Sequence, residues 1–168
     1  MNSRIGFALT ALLFMMSGNA QAETKPLEDR FFYRPVRIGL CGGFTPDCQL
    51  GSTKFEFSTR YVGFNFHIGL IPVWLGTTLK TYPTPIYNVN KTTFRPYVFY
   101  GAGAIFMASA ITGGGLGTDI HFFNSKRLML QPAIAVFNQS FSSPPGPNRA
   151  PAENRVTAGG SLSVMAAF

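Results

Sequence analysis

The chain has 168 residues, a formal charge of +7, only 12% charged residues against 46% apolar ones, and 18 Gly, 17 Phe and 6 Tyr. Its Lys and Arg are scattered, with Lys126-Arg127 the one adjacent pair, so there is no basic cluster to track a nucleic-acid backbone and nucleic acid is excluded as a partner. Abundant Gly and aromatic residues with few helix formers suit a β-protein whose outer face meets an apolar medium, and the positive balance suits anionic lipid or lipopolysaccharide.

Residues 1–22 read as a signal peptide. Arg4 supplies the charged start, Ile5 to Met16 the apolar run, and Ala20-Gln21-Ala22 the small-residue cleavage pattern, within the usual run of about 7–15 residues. A transmembrane helix needs about 20 apolar residues, and Ser17-Gly18-Asn19 ends this run too early. No Cys stands at position 23 to carry a lipid anchor. Residues 23–168 are then expected to form one barrel domain. No later apolar stretch approaches the length of a helical span.

From there the recurring signal is period two. Over 34–42, Val36, Ile38 and Leu40 oppose Arg37 and Gly39. Cys41 and Cys48 follow, separated by Gly-Gly-Phe-Thr-Pro-Asp. So close a pair in an exported chain predicts a disulfide closing an exposed loop. Zinc would need further ligands at matching spacing, and none are near; no metal or cofactor is assigned. Over Lys54 to Leu70 the phase flips: Phe55, Phe57 and Tyr61 oppose Lys54, Glu56 and Arg60, and then Val62, Phe64, Phe66 and Ile68 oppose Asn65 and His67. One strand of that length would span roughly 56 Å, far beyond the 9–11 residues a membrane strand needs. The flip marks either a bulge or a tight turn between strands 53–61 and 62–70, and the turn brings the strand count to eight.

The remaining strands are expected at 73–82, 94–107, 113–123, 128–140 and 155–168. In Gly113 to Phe123, Leu116, Thr118, Ile120 and Phe122 alternate with Gly115, Gly117, Asp119 and His121. Asn124 to Arg127 fits a short turn, while residues 83–93 are long for one. Residues 142–154, with Pro144, Pro145, Pro147 and Pro151, fit an exposed loop. A soluble sandwich would alternate too, with its apolar face inward. The export signal and the small, polar opposite parity favour the inverse, apolar out and polar in. The fold class is therefore all-β, an eight-stranded antiparallel transmembrane β-barrel. Arg37, Glu56, Arg60, His67, Asp119 and His121 share the inward parity and are expected to pair inside a side-chain-filled lumen. Phe31-Phe32-Tyr33, Trp74, Tyr82, Tyr97 and Tyr100 are candidates for interfacial girdles.

At Phe94-Arg-Pro-Tyr-Val-Phe-Tyr-Gly-Ala-Gly-Ala-Ile-Phe106, Gly113-Gly-Gly-Leu-Gly-Thr-Asp119 and the final Phe168, the chain resembles the small bacterial outer-membrane barrels of the OmpX and OmpA transmembrane-domain type. The likeness covers residues 94–168 by motif and the first half by pattern. It implies a bacterial outer-membrane location, contact with outer-membrane lipids and lipopolysaccharide, and delivery by the barrel-assembly machinery. The insertion signal would be carried by Phe168 with Val164 and Leu162, although Ala166 stands where the family usually has a second aromatic. Members of the family range over adhesion, envelope anchoring, small pores and lipid-modifying enzymes.

The deacylase pattern places His two residues before Ser on the penultimate strand. Here the stretch is Val136-Phe-Asn138-Gln-Ser140, and a Ser without a base in reach is no nucleophile. No catalytic residue is therefore assigned. The leading expectation is a structural or surface-interaction role without enzymatic activity, with loops 41–53 and 142–154 available to an extracellular ligand. A lipid A-modifying deacylase or acyltransferase is the alternative, and a soluble periplasmic barrel carrying a lipophilic ligand stands third.

Overall fold

A computed structural model describes residues 35–168 except 50, 71–72, 84–85, 90–91, 106–108, 123–126 and 142–152. The signal-peptide reading, Phe31-Phe32-Tyr33 and most of the 142–154 loop lie outside the described residues. Ten strands run in chain order: β1 Val36–Thr45, β2 Cys48–Gln49, β3 Ser52–Ser58, β4 Val62–Leu70, β5 Val73–Thr81, β6 Tyr87–Val89, β7 Thr92–Ile105, β8 Ser109–His121, β9 Leu128–Phe141 and β10 Glu153–Ala167. Eight of them form the wall in the order β10-β9-β8-β7-β5-β4-β3-β1, and β10 pairs with β1 to close it. The fold is a closed eight-stranded antiparallel barrel. Closure leaves no sheet edge along the seam from Arg37↔Ala167 to Gly43↔Ser161.

The register sets the stagger. Stepping from Glu153 through Phe141, Ser109, Ile105, Trp74, Gly69, Ser52 and Cys41 returns to β10 at Ser163, ten residues further along. Strand number and stagger together fix the tilt, typically about 35–45°, and a lumen just wide enough for side chains.

The phase flip is a tight turn. Thr59 N–H donates to the Val62 carbonyl at 2.7 Å, and the Thr59 hydroxyl donates to the same oxygen at 2.9 Å. Three residues separate β3 from β4, an odd number, so the inward parity passes from even residues to odd ones. The long 83–93 segment is partly a hairpin: β6 pairs with the start of β7, from Tyr87↔Phe94 to Val89↔Thr92.

Alternation along the strands puts the apolar residues outside. Leu40, Phe57, Leu75, Leu79, Tyr100, Val136, Leu162 and Val164 are exposed, while Arg37, Lys54, Glu56, His67, Lys80, Asp119 and Gln131 are buried. Bulky inward side chains lie across glycines of the neighbouring strand. His67 covers Gly76, its register partner, and Trp74 covers Gly103; a Cβ at either glycine would overlap ring atoms. The strand glycines thus make room for the lumen's filling.

Two expectations are corrected. Trp74, Tyr82 and Tyr97 are buried in the interior cluster with Phe99, Ile111 and Phe137, and of the described girdle candidates only Tyr100 faces outward. Alternation decides this: in β5, Val73, Leu75 and Leu79 take the outer parity and leave Trp74 inside. The Cys41–Cys48 segment is likewise no exposed loop. Thr45, Asp47 and Cys48 are wholly buried, and Cys41 and Gln49 nearly so. The end of β1 leaves the wall after Gly43, whose φ of 150° few other residues adopt. It then folds back on β2 through Phe44↔Gln49 and Thr45↔Cys48, so that residues 44–49 form a hairpin inside the barrel.

Candidate functional site: the filled lumen

Two polar clusters fill the lumen. The first joins five strands around two carboxylates. Glu56 on β3 accepts from Arg37 of β1 at 2.6 Å, Lys80 of β5 at 2.8 Å, Gln131 of β9 at 2.9 Å and the Tyr82 hydroxyl at 3.4 Å. Asp119 on β8 accepts from Arg37 at 3.1 Å, Gln131 at 3.0 Å and Tyr82 at 3.3 Å. Burying such charges costs several kcal/mol each unless every lone pair finds a donor, and here the donors converge from all sides. Lys80 also lies over the Tyr97 ring at 4.2 Å, and Arg95 over the Tyr82 ring at 3.4 Å. Arg95 reaches on to the carbonyls of Thr59 and Arg60, tying the lumen to the β3–β4 turn.

The second cluster belongs to the internal hairpin. Asp47, at its tip, accepts from Lys54 Nζ at 2.5 Å and from Asn65 Nδ2 at 2.8 Å. Burial alone would raise the Asp47 carboxyl, but the ammonium groups of Lys54 and Lys80 outweigh it and hold the group below the usual carboxylate range. The Pro46 carbonyl accepts from Thr78 at 3.4 Å, Thr45 donates to Ser161 at 3.1 Å, and the Phe44 ring meets Phe137 edge-on at 5.3 Å. A disulfide joins Cys48 of the hairpin to Cys41 in the wall, as the spacing predicted. Ser52 donates to the Gln49 carbonyl at 2.6 Å and fastens the hairpin's other end.

Arg37, Glu56 and Asp119 are therefore in direct contact. His67 is buried on β4, stacked on Trp74 with ring centroids 5.9 Å apart, and belongs to the hairpin's surroundings. His121 is buried at the end of β8, opposite Thr93. Arg60 is a correction: it is exposed on the β3–β4 turn with its guanidinium 5.3 Å from the Tyr61 ring. β3 stops at Ser58, so the parity that would have carried Arg60 inward no longer applies. Leu162, Val164 and Phe168 face outward.

Lys54, Asn65, Lys80, Arg95 and Gln131 were not singled out from sequence, although Lys54 shares the even parity of Glu56 and Asn65 the odd parity of His67. Asp47 had no such signal, because a hairpin this short shows no alternation.

For catalysis the arrangement offers little. The lone pairs of Glu56 and Asp119 are engaged by donors. Asn138, where a deacylase would need His, is exposed on the outer parity, and Ser140 donates to Asn154 at 2.8 Å. Among the described residues no three His, Cys, Asp or Glu are grouped to hold a metal ion. No protein-family model, curated protein or solved structure matches the chain.

Proposed function

We propose that the chain is an integral outer-membrane barrel of the OmpX and OmpA transmembrane-domain type, exported by a signal peptide spanning residues 1–22. Its role on this reading is structural or surface-interacting, without enzymatic activity. One observation carries it: the barrel is inverted, with apolar side chains on the outer wall and a fully buried ion-pair network inside. In water that arrangement exposes the apolar surface and buries the charges, the costly choice on both counts. In a bilayer the outer wall meets acyl chains and the closed wall satisfies the backbone. Lipopolysaccharide and phospholipid are then its nearest neighbours, and the barrel-assembly machinery its route in.

The ends of the barrel differ. One end bears the β4–β5, β7–β8 and β9–β10 connections together with the internal hairpin, and the other bears the β3–β4 turn and the β5–β7 and β8–β9 connections. By the family pattern the first end faces outside the cell. Any surface partner would then meet the 142–154 loop, while the hairpin, folded into the lumen, is largely buried. A soluble carrier of lipophilic ligands is disfavoured by a lumen already filled with paired charges.

The test is fractionation with gel mobility. The proposal expects extraction only by detergent, and migration that changes on heating. Recovery in the soluble periplasmic fraction would reject it. A change in the lipid A mass spectrum on deleting the gene would replace the non-enzymatic role with lipid A modification.

A further inference from the structure

We propose that the Cys41–Cys48 hairpin is a latched lid over a carboxylate-binding cup, in which Asp47 stands in for an external carboxylate. The inference rests on the closed barrel and not on its membrane setting. A failed fractionation test would leave it standing.

The cup has the shape of its ligand. The two Asp47 oxygens are taken by two donors from two different strands, Lys54 of β3 and Asn65 of β4. Asp47 is the sole ion-pair partner of Lys54 among the described residues, because Glu56, further along β3, is already held by Arg37 and Lys80. Withdrawing Asp47 would leave a buried ammonium unpaired, a state proteins avoid. A small carboxylate entering as the lid leaves would restore the pairing, and by linkage it would favour the open lid. The floor beneath is the Glu56–Asp119 network, so an open lid exposes a blind cup and no through-channel.

The lid is built to separate from the wall. Wall pairing of β1 ends at Gly43↔Ser161 on one side and Cys41↔Ser52 on the other. Gly43 and Gly51, both at positive φ, bracket the hairpin. Its polar ties to neighbouring strands are Thr45 to Ser161, Thr78 to the Pro46 carbonyl, the two Asp47 bonds, and at its base the reciprocal Gln49–Ser52 pair, which can serve as the hinge. The covalent tie is the disulfide, from Cys48 in the lid to Cys41 in the wall. Opening therefore begins with a dithiol reductant. The dithiol gives two electrons and two protons, the Cys41–Cys48 S–S bond becomes two thiols, and the reductant becomes a disulfide.

Trp74, the one tryptophan, is fully buried and stacked on His67 beside the cup, and so reports access. The experiment is fluorescence quenching of the full chain in zwitterionic detergent, with acrylamide, iodide and caesium. The oxidised protein should resist all three. In the Cys41→Ser/Cys48→Ser chain, acrylamide and iodide quenching should rise severalfold and caesium quenching little, with acetate suppressing the iodide effect. Adding Lys54→Gln should keep the acrylamide access and abolish the iodide preference. Folded wild-type protein treated with dithiothreitol supplies the same comparison should the serine variant not fold. The proposal is overturned if acrylamide reaches Trp74 no better without the disulfide, if iodide and caesium quench alike, or if acetate has no effect.

Discussion

The phenol ring of Tyr97 on β7 lies across Gly117 on β8, its antiparallel partner, so that a Cβ at position 117 would overlap the ring and its hydroxyl. Tyr97 is wholly buried, with Lys80 above one face and Tyr82 edge-on beside it, and has nowhere to retreat. Gly117→Ala should therefore destabilise the barrel by about 1–3 kcal/mol, the usual cost of overpacking a filled core. Gly160→Ala, on the outer parity with its nearest contact at 3.6 Å, should be close to neutral. Denaturant midpoints for the two variants in one detergent check this, and equal shifts would contradict it.

Asp47 and Lys54 form a pair with no solvent contact. Asp47→Ala removes one charge and strands the other, which should cost about 3–5 kcal/mol. Asp47→Ala/Lys54→Met removes both and should recover most of that loss. Unfolding free energies of the three chains make the comparison. A double variant as unstable as the single one would mean that the pair is incidental to the hairpin's seat.

Leu162 and Ser163 are neighbours on β10 with opposite surroundings, the first exposed on the wall and the second buried. If the wall faces acyl chains, Leu162→Arg costs about 2–4 kcal/mol near mid-depth. In water the same change would be nearly free. Ser163→Arg should disturb lumen packing in either solvent. Outer-membrane abundance after matched expression tests the pair, and deletion of Phe168 belongs in the same series, with reduced assembly expected. Wild-type levels of both the deletion and Leu162→Arg would remove the membrane reading.

The lumen is occupied at two levels, by the hairpin and by the Glu56–Asp119 network. Purified monomer in planar bilayers should accordingly show negligible steady conductance. Large, stable openings would require a different interior.

Much of this barrel is legible in the sequence, for a definite reason. Strand parity is a local property, so Leu162 and Ser163, or Phe55 and Glu56, declare their faces without knowledge of the rest. The odd-length turn at Thr59–Tyr61 is legible for the same reason, as a break in phase. What parity could not supply was any contact set by closure. Arg37 meets Asp119 only because β1 and β8 face each other across the lumen. Arg60 was assigned inward because parity runs on past the end of a strand, and the end of β3 is set by the turn. The inward hairpin was hidden most completely. Its six residues are too few to alternate, and the close Cys spacing would have suited an outer loop as well as an inner one. Aromatic residues misled in a further way. Trp74 and Tyr97 are large amphipathic rings of the kind that suits a membrane interface, yet they fill the lumen, where Gly103 and Gly117 leave room for them.

The central claim is that the apolar wall, from Leu79 through Tyr100 to Val136, meets lipid, and the most direct measurement is quenching by brominated acyl chains. Full-length protein is refolded into phosphatidylcholine vesicles with and without bromine on the chains, as wild type and as Leu79→Trp. Trp74 points into the lumen and should be quenched weakly, whereas the added indole at position 79 should be quenched strongly. Strong quenching at position 79 beside a protected Trp74 is the result the account predicts. An indole at 79 that brominated lipid leaves untouched, in protein that has refolded, would contradict it.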